Sequence, residues 1–180
     1  MAKMLQNCGV TSLIVAMTAI SFLAAVENSY DLIAIACSKT PYYQLCESTL
    51  RNDPKSWDAN LNGLTLIMLN SLSFRSNRTL DAINQFLKEK PELKVPLTNC
   101  LNLYSSVVNF FIVDAIKAAN RSDIPLGQEY MYDSKKSIHD CENGFKPNPS
   151  PLGVANGINS DICDIAYNMF GLMNTTLIHS

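Results

Sequence analysis

Proline occupies positions 41, 54, 91, 96, 125, 147, 149 and 151 and nowhere else, and that distribution restricts the fold more than any other property of the chain. A proline inside a helix removes one backbone donor and collides with the preceding turn, so long proline-free runs bounded by prolines mark helices joined at the prolines. Four such runs follow residue 54: 55–90, 97–124, 126–146 and 152–180. Glycine is almost as scarce, at seven residues, so the runs carry few breakers of either kind.

Each run repeats its apolar residues every three or four positions, the spacing of a helix that buries one face. The first face is Leu61, Leu64, Met68, Leu72, Leu80, Ile83 and Leu87; the second is Leu97, Leu101, Tyr104, Val108, Phe111, Ala115 and Ala118. The third is Leu126, Tyr130, Ile138, Cys141 and Phe145; the fourth is Ile158, Ile162, Ile165, Met169, Leu172 and Thr176. Trp57, the sole tryptophan, is expected to open the first helix as a packing residue. No run alternates strictly enough for a strand, and no internal repeat is present. Short connections make successive helices antiparallel. The expected fold is all-α: an up-and-down four-helix bundle over 54–180, preceded by a helical hairpin over 27–53 that turns at Thr40-Pro41. Lys146–Ser150 reads as an irregular loop.

Residues 1–26 have the order of a secretory signal: basic Lys3, an apolar run from Leu13 to Ala25, then small residues before polar Glu27-Asn28-Ser29. The apolar run is shorter than the roughly 20 residues a spanning helix needs. No later run is expected to be long and apolar enough to span, so no membrane attachment is expected after signal removal. Lys3 is the only charge in that segment, so the formal charge of −2 becomes about −3 without it. There is no basic stripe, the nearest approaches being Lys135-Lys136 and Arg75 with Arg78, so nucleic acid is not an expected partner. Asn77, Asn120 and Asn174 each begin an Asn-X-Ser/Thr acceptor sequence, as a secreted glycoprotein permits; Asn148 does not, because Pro149 follows it.

Beyond the signal the chain carries Cys37, Cys46, Cys100, Cys141 and Cys163. An odd number leaves at least one thiol unbridged within the chain, and sequence alone does not fix which four pair. Helix geometry suggests an answer. Cys37 and Cys46 flank the hairpin turn. If the second and third bundle helices turn back on each other near 121–125, Cys100 and Cys141 reach similar heights at about 1.5 Å rise per residue. Cys163 falls beside the apolar face of the last helix and reads as a buried free thiol.

Motifs of catalysis and metal binding are missing. The chain has no His-Glu-X-X-His, Cys-X-X-Cys, phosphate-binding glycine loop or Gly-X-Ser-X-Gly. Asp58 to Gly63 matches half of a calcium loop, but its twelfth position is Leu69, where a bidentate acid is needed; the segment reads as a polar first helical turn. Asp161 with Asp164 reads as a solvated or capping pair. No catalytic residue, cofactor or metal is expected.

Ala36-Cys37-Ser38-Lys39-Thr40-Pro41-Tyr42-Tyr43-Gln44-Leu45-Cys46, with Leu64-Thr65-Leu66-Ile67-Met68, resembles the opening of plant invertase/pectin methylesterase inhibitors. Pro96-Leu97-Thr98-Asn99-Cys100 with Tyr104, and His139-Asp140-Cys141-Glu142-Asn143-Gly144-Phe145, are similar to that family's third- and fourth-cysteine regions. The resemblance runs from about residue 30 to the end. It implies a disulfide-linked hairpin before a four-helix bundle, with Cys37–Cys46 and Cys100–Cys141 paired. It also implies a secreted inhibitor, acting in the apoplast or cell wall or alternatively the vacuole.

The segment from Thr40 to Cys46 and the run around Met68 are closest to the invertase branch. That branch carries Pro-Lys-Phe at the turn between the second and third bundle helices. Ile124-Pro125-Leu126 stands there in this chain, without the lysine and with leucine in the phenylalanine position. The expected activity is occlusion of the active site of a plant acid invertase by Asp123, Ile124, Pro125 and Leu126, as a monomer in a one-to-one complex. One alternative is inhibition of pectin methylesterase through exposed polar residues of the second and third bundle helices. Another is a non-inhibitory allergen-like, storage or ligand-carrying protein, the last of which needs an apolar cavity.

Overall fold

A computed structural model of the chain describes residues 31–174, and every regular element among them is helical. The expected signal segment lies outside the described residues. The hairpin consists of α1 (Leu32–Ser38) and α2 (Tyr43–Arg51), bridged by Cys37–Cys46 with a Cα separation of 5.5 Å. Inside its turn the buried Thr40 hydroxyl donates to the Cys37 carbonyl. A 3-10 turn (Pro54–Ser56) follows, capped by Asp53, and buried Ser56 donates to the Leu50 carbonyl to fasten it to the end of α2.

The bundle begins with α3 (Leu61–Glu89), a single 29-residue helix. It starts later than the proline-free run suggests because Asn60 is its N-cap: the side chain accepts from the Gly63 N–H at 2.9 Å, an arrangement typically contributing about 1 kcal/mol. Asp58 to Gly63 is thus a helix entry, and Leu69 is fully buried. Trp57 consequently precedes α3. It is 65% exposed with the Arg51 guanidinium over its ring, which corrects its reading as a packing residue.

The second rod runs through α4 (Lys94–Ser106), a π-helical segment (Val107–Phe111) and α5 (Ile112–Asn120). Pro96 sits in its first turn, where no intrahelical donor is lost. The π segment widens one turn, so the buried face steps directly from Val107 to Ile112 and resumes its expected register at Ala115 and Ala118. Val107 and Ile112 are therefore buried where the spacing had selected Val108 and Phe111, which are only partly covered. By length and composition the 30-residue stretch Pro91–Asn120 could cross a membrane, contrary to the sequence expectation that no later run could. Within the fold one face of it joins the core through buried Leu97, Tyr104 and Ala115, and the Cys100–Cys141 bridge fastens it to a neighbouring helix.

The bundle is completed by α6 (Ile124–Asn143) and α7 (Gly153–Leu172). Each helix packs on the next, and α3 packs on α7 to close the ring. Cys100 and Cys141 join α4 to α6 with Cα atoms 4.7 Å apart.

The centre of this ring is partly polar. The buried Tyr104 hydroxyl donates to Asn156 Oδ1 at 2.7 Å and accepts from Asn159 Nδ2 at 3.2 Å. Asn159 also donates to Thr79 Oγ1 at 3.2 Å, and Asn156 donates to Glu142 Oε2 at 2.6 Å. Side chains from α3, α4, α6 and α7 thus satisfy one another, as buried polar groups must. Burial pushes the Tyr104 phenol up to about 12, against the opposing effect of its polar neighbours Asn159 and Thr79.

Candidate target-binding site

The turn between α5 and α6 is built from the three residues between the helices, with Arg121 capping the end of α5 and Asp123 the start of α6. The Ser122 N–H donates to the Ala119 carbonyl and the Asp123 N–H to the Ala118 carbonyl. This is a Schellman closure, with Ser122 in the left-handed position usually taken by glycine. Its φ is 54°, an uncommon backbone state for a residue with a side chain. Asp123 then caps α6, its carboxylate accepting from the Leu126 N–H at 3.4 Å. Pro125 follows in the first turn of α6, where its missing N–H costs no intrahelical bond. The short connection leaves the loop little conformational freedom.

The four residues singled out from sequence are adjacent on this turn but face different ways. Pro125 is exposed, as are Arg121 and Ser122; Asp123 and Leu126 are half-buried; Ile124 packs against the core. The next residue, Gly127, is buried, and a Cβ there would overlap the Phe170 ring of α7. Glycine therefore permits the close approach of α6 to α7 behind the turn. Gln128 Nε2 donates to the Tyr167 carbonyl at 3.2 Å and fastens the same contact from outside.

Farther along α6 and α7, both Lys135–Asp164 hydrogen bonds are 2.7 Å, and the pairing raises the lysine pKa. Tyr42 of the hairpin turn is hydrogen-bonded to Asp161, which, with some burial, raises its phenol pKa. Asp161 and Asp164 thus serve separate contacts, one tying the hairpin to α7 and the other tying α6 to α7.

The candidate groups for chemistry are scattered. His139 is exposed on α6 beside Asn143. Cys163 is free and buried in α7, and burial holds its thiol far above the usual range, the reverse of an activated nucleophile. Among the described residues no cluster of His, Cys, Asp and Glu could hold a metal ion. Asn120 is exposed at the end of α5, immediately before the turn, and Asn77 is exposed in mid-α3. Asn174 is exposed, while Thr175 and Thr176 of its acceptor sequence lie outside the described residues.

Sequence reading missed Ser122, Gly127 and the buried Asn156 and Asn159. A usable signal existed for the asparagines: they extend the buried spacing of Ile162, Ala166 and Met169 toward the start of α7.

Residues 31–172 match the family model described as plant invertase/pectin methylesterase inhibitor. A relative from Arabidopsis thaliana, cell wall / vacuolar inhibitor of fructosidase 1, is 32% identical over 68% of this chain. The matching segment spans 59% of that relative's length. A putative invertase inhibitor from Platanus orientalis is 29% identical over 66% of this chain and 74% of its own. In fold, the chain is similar to a crystal structure of a mutant form of an Arabidopsis pectin methylesterase inhibitor. The TM-score is 0.67 at 17% identity, covering 79% of this chain and 97% of the other.

Proposed function

Because the chain belongs to the plant invertase/pectin methylesterase inhibitor family, an enzyme-inhibitor family, we propose that it inhibits an acid invertase of the cell wall or vacuole. It does so as a one-to-one complex, presenting the turn from Asp123 to Leu126 to the enzyme's active site. The observation that carries this reading is the rigid α5–α6 turn. A Schellman closure, an aspartate cap and a proline hold exposed Pro125 and half-buried Leu126 at one end of the bundle. A segment already fixed before binding loses less conformational entropy on docking than a mobile loop does. Two of the relatives are named as inhibitors of fructosidase or invertase, which favours a sucrose-cleaving target. The lysine of the invertase branch is absent, so the contact here is apolar, made by Pro125 and the accessible part of Leu126. A glycan on Asn120 would stand at the rim of that contact.

The test is a parallel titration of the oxidised chain against a plant acid invertase and a plant pectin methylesterase at acidic pH. Sucrose cleavage should fall stoichiometrically and demethylesterification should not. Leu126→Glu, at an incompletely buried position, should abolish the effect while leaving the melting temperature within a few degrees. Inhibition of the esterase alone would move the contact to the bundle helices. Activity of neither enzyme reduced would refute the inhibitor reading for this chain.

A further inference from the structure

On the side of the bundle formed by α3 and the start of α7 lies an open groove of about 650 Å³. That volume is within the roughly 300–1,000 Å³ range of small-molecule sites. Phe74 on α3 and Val154 on α7 stand at its walls, 64% and 82% exposed, and Ile158 continues the apolar lining. Exposed apolar residues are ordinary when scattered, but these two share one concavity. Asn159 lines it as well, with its Nδ2 hydrogen bonds already given to Tyr104 and Thr79.

Two cations also line the groove. Arg75 and Arg78 are one turn apart on α3, on the same side of the helix. Among the described residues neither forms an ion pair with a carboxylate, whereas Arg51, Lys117, Lys135 and Lys136 all do. The Arg78 guanidinium lies over the Phe74 ring, 5.9 Å from its centroid, which holds a positive fork against the apolar wall. The chain as a whole is acidic, with a formal charge of −2, so this is a local exception to its charge.

We infer that the α3–α7 groove binds an amphipathic carboxylate, its anionic head held by Arg75 and Arg78 and its hydrocarbon body lying against Phe74, Val154 and Ile158. Charge complementarity selects the head group: a guanidinium matches a carboxylate with two parallel hydrogen bonds. The apolar walls select the body, since a small hydrophilic acid would leave Phe74 and Val154 in water. The groove is built from α3 and α7 residues and includes none of the α5–α6 turn, so this inference is independent of the inhibitor reading.

Dodecanoate is the probe, titrated calorimetrically into the full oxidised chain below its micelle concentration, with 1-dodecanol and trigalacturonate as comparators. Saturable one-to-one binding of dodecanoate is expected, with the alcohol and the sugar acid each at least about tenfold weaker. Arg75→Gln with Arg78→Gln should weaken dodecanoate about tenfold or more, the scale of losing charge-assisted hydrogen bonds. Val154→Glu, at an exposed position that does not challenge folding, should weaken it similarly by placing a negative charge on the wall. Helical circular dichroism of each variant should match that of the parent. Absence of saturable binding would overturn the inference. So would equal binding of acid and alcohol, preference for trigalacturonate, or indifference to the arginine and Val154 substitutions.

Discussion

Removing one oxygen atom, in Tyr104→Phe, tests whether the polar centre of the bundle contributes to its stability. The hydroxyl is fully buried and takes part in two hydrogen bonds, to Asn156 at 2.7 Å and from Asn159 at 3.2 Å. The consequences for the two partners differ. Asn159 Nδ2 keeps Thr79 as an acceptor, whereas Asn156 Oδ1 loses its short bond from the phenol. One ordinary bond contributes about 1 kcal/mol net, and a buried group left without its partner costs about 1–3 kcal/mol. A total of about 2–3 kcal/mol is expected. For a bundle of this size, at roughly 2–4 °C per kcal/mol, that is a fall of about 5–10 °C in melting temperature. The assay is urea unfolding with both disulfides intact, read by circular dichroism, in which the midpoint should drop with the m-value unchanged. Adding Asn156→Leu to Tyr104→Phe removes both partners, so the double variant should be more stable than the sum of the single losses predicts. A melting temperature within 1 °C of the parent, or strict additivity in the double variant, would refute the view that these groups depend on each other.

Gly127→Ala should cost about 1–3 kcal/mol, the usual range for overpacking, because the new Cβ overlaps the Phe170 ring; thermal melts of Gly127→Ala with and without Phe170→Leu check this, and failure of the smaller partner to recover stability would count against the steric account. The alkaline limit of stability should also trace to Tyr104. Its phenol is held up at about 12 in the fold and returns to about 10 on unfolding, so the unfolded chain binds fewer protons between those values. This contribution is complete below about pH 10 and is lost at roughly 1.4 kcal/mol per pH unit as pH rises toward 12. Urea midpoints across that window, compared with and without Tyr104→Phe in a Cys163→Ala background that prevents thiol exchange, should show the steeper decline only with tyrosine. Parallel slopes would show that the phenol is not protected.

The proline spacing and the threefold and fourfold repeats marked out the helical hairpin and the four bundle helices, because those signals act through backbone geometry within a few residues. The same local character explains the failures. Val108 and Phe111 were chosen by extending a regular repeat through Val107–Phe111, where the helix widens to π form and the buried face steps from Val107 straight to Ile112. Trp57 was assigned to a helix that Asn60 starts three residues later. The turn could be located from Pro125, but its rigidity could not, since a serine in the left-handed position carries no sequence signal like that of glycine.

What the sequence by itself determined was therefore the helical segmentation, the family resemblance and a location for the candidate contact. Tertiary structure alone decided which side chains meet at the centre of the ring and which line its outer groove. Tyr104 finds Asn156 and Asn159 at separations of 52 and 55 residues, and Asn159 finds Thr79 at 80. An asparagine is polar in any list of residues. It becomes a core residue only when three other helices bring it partners for its hydrogen bonds, and that depends on how the helices pack rather than on the residues beside it.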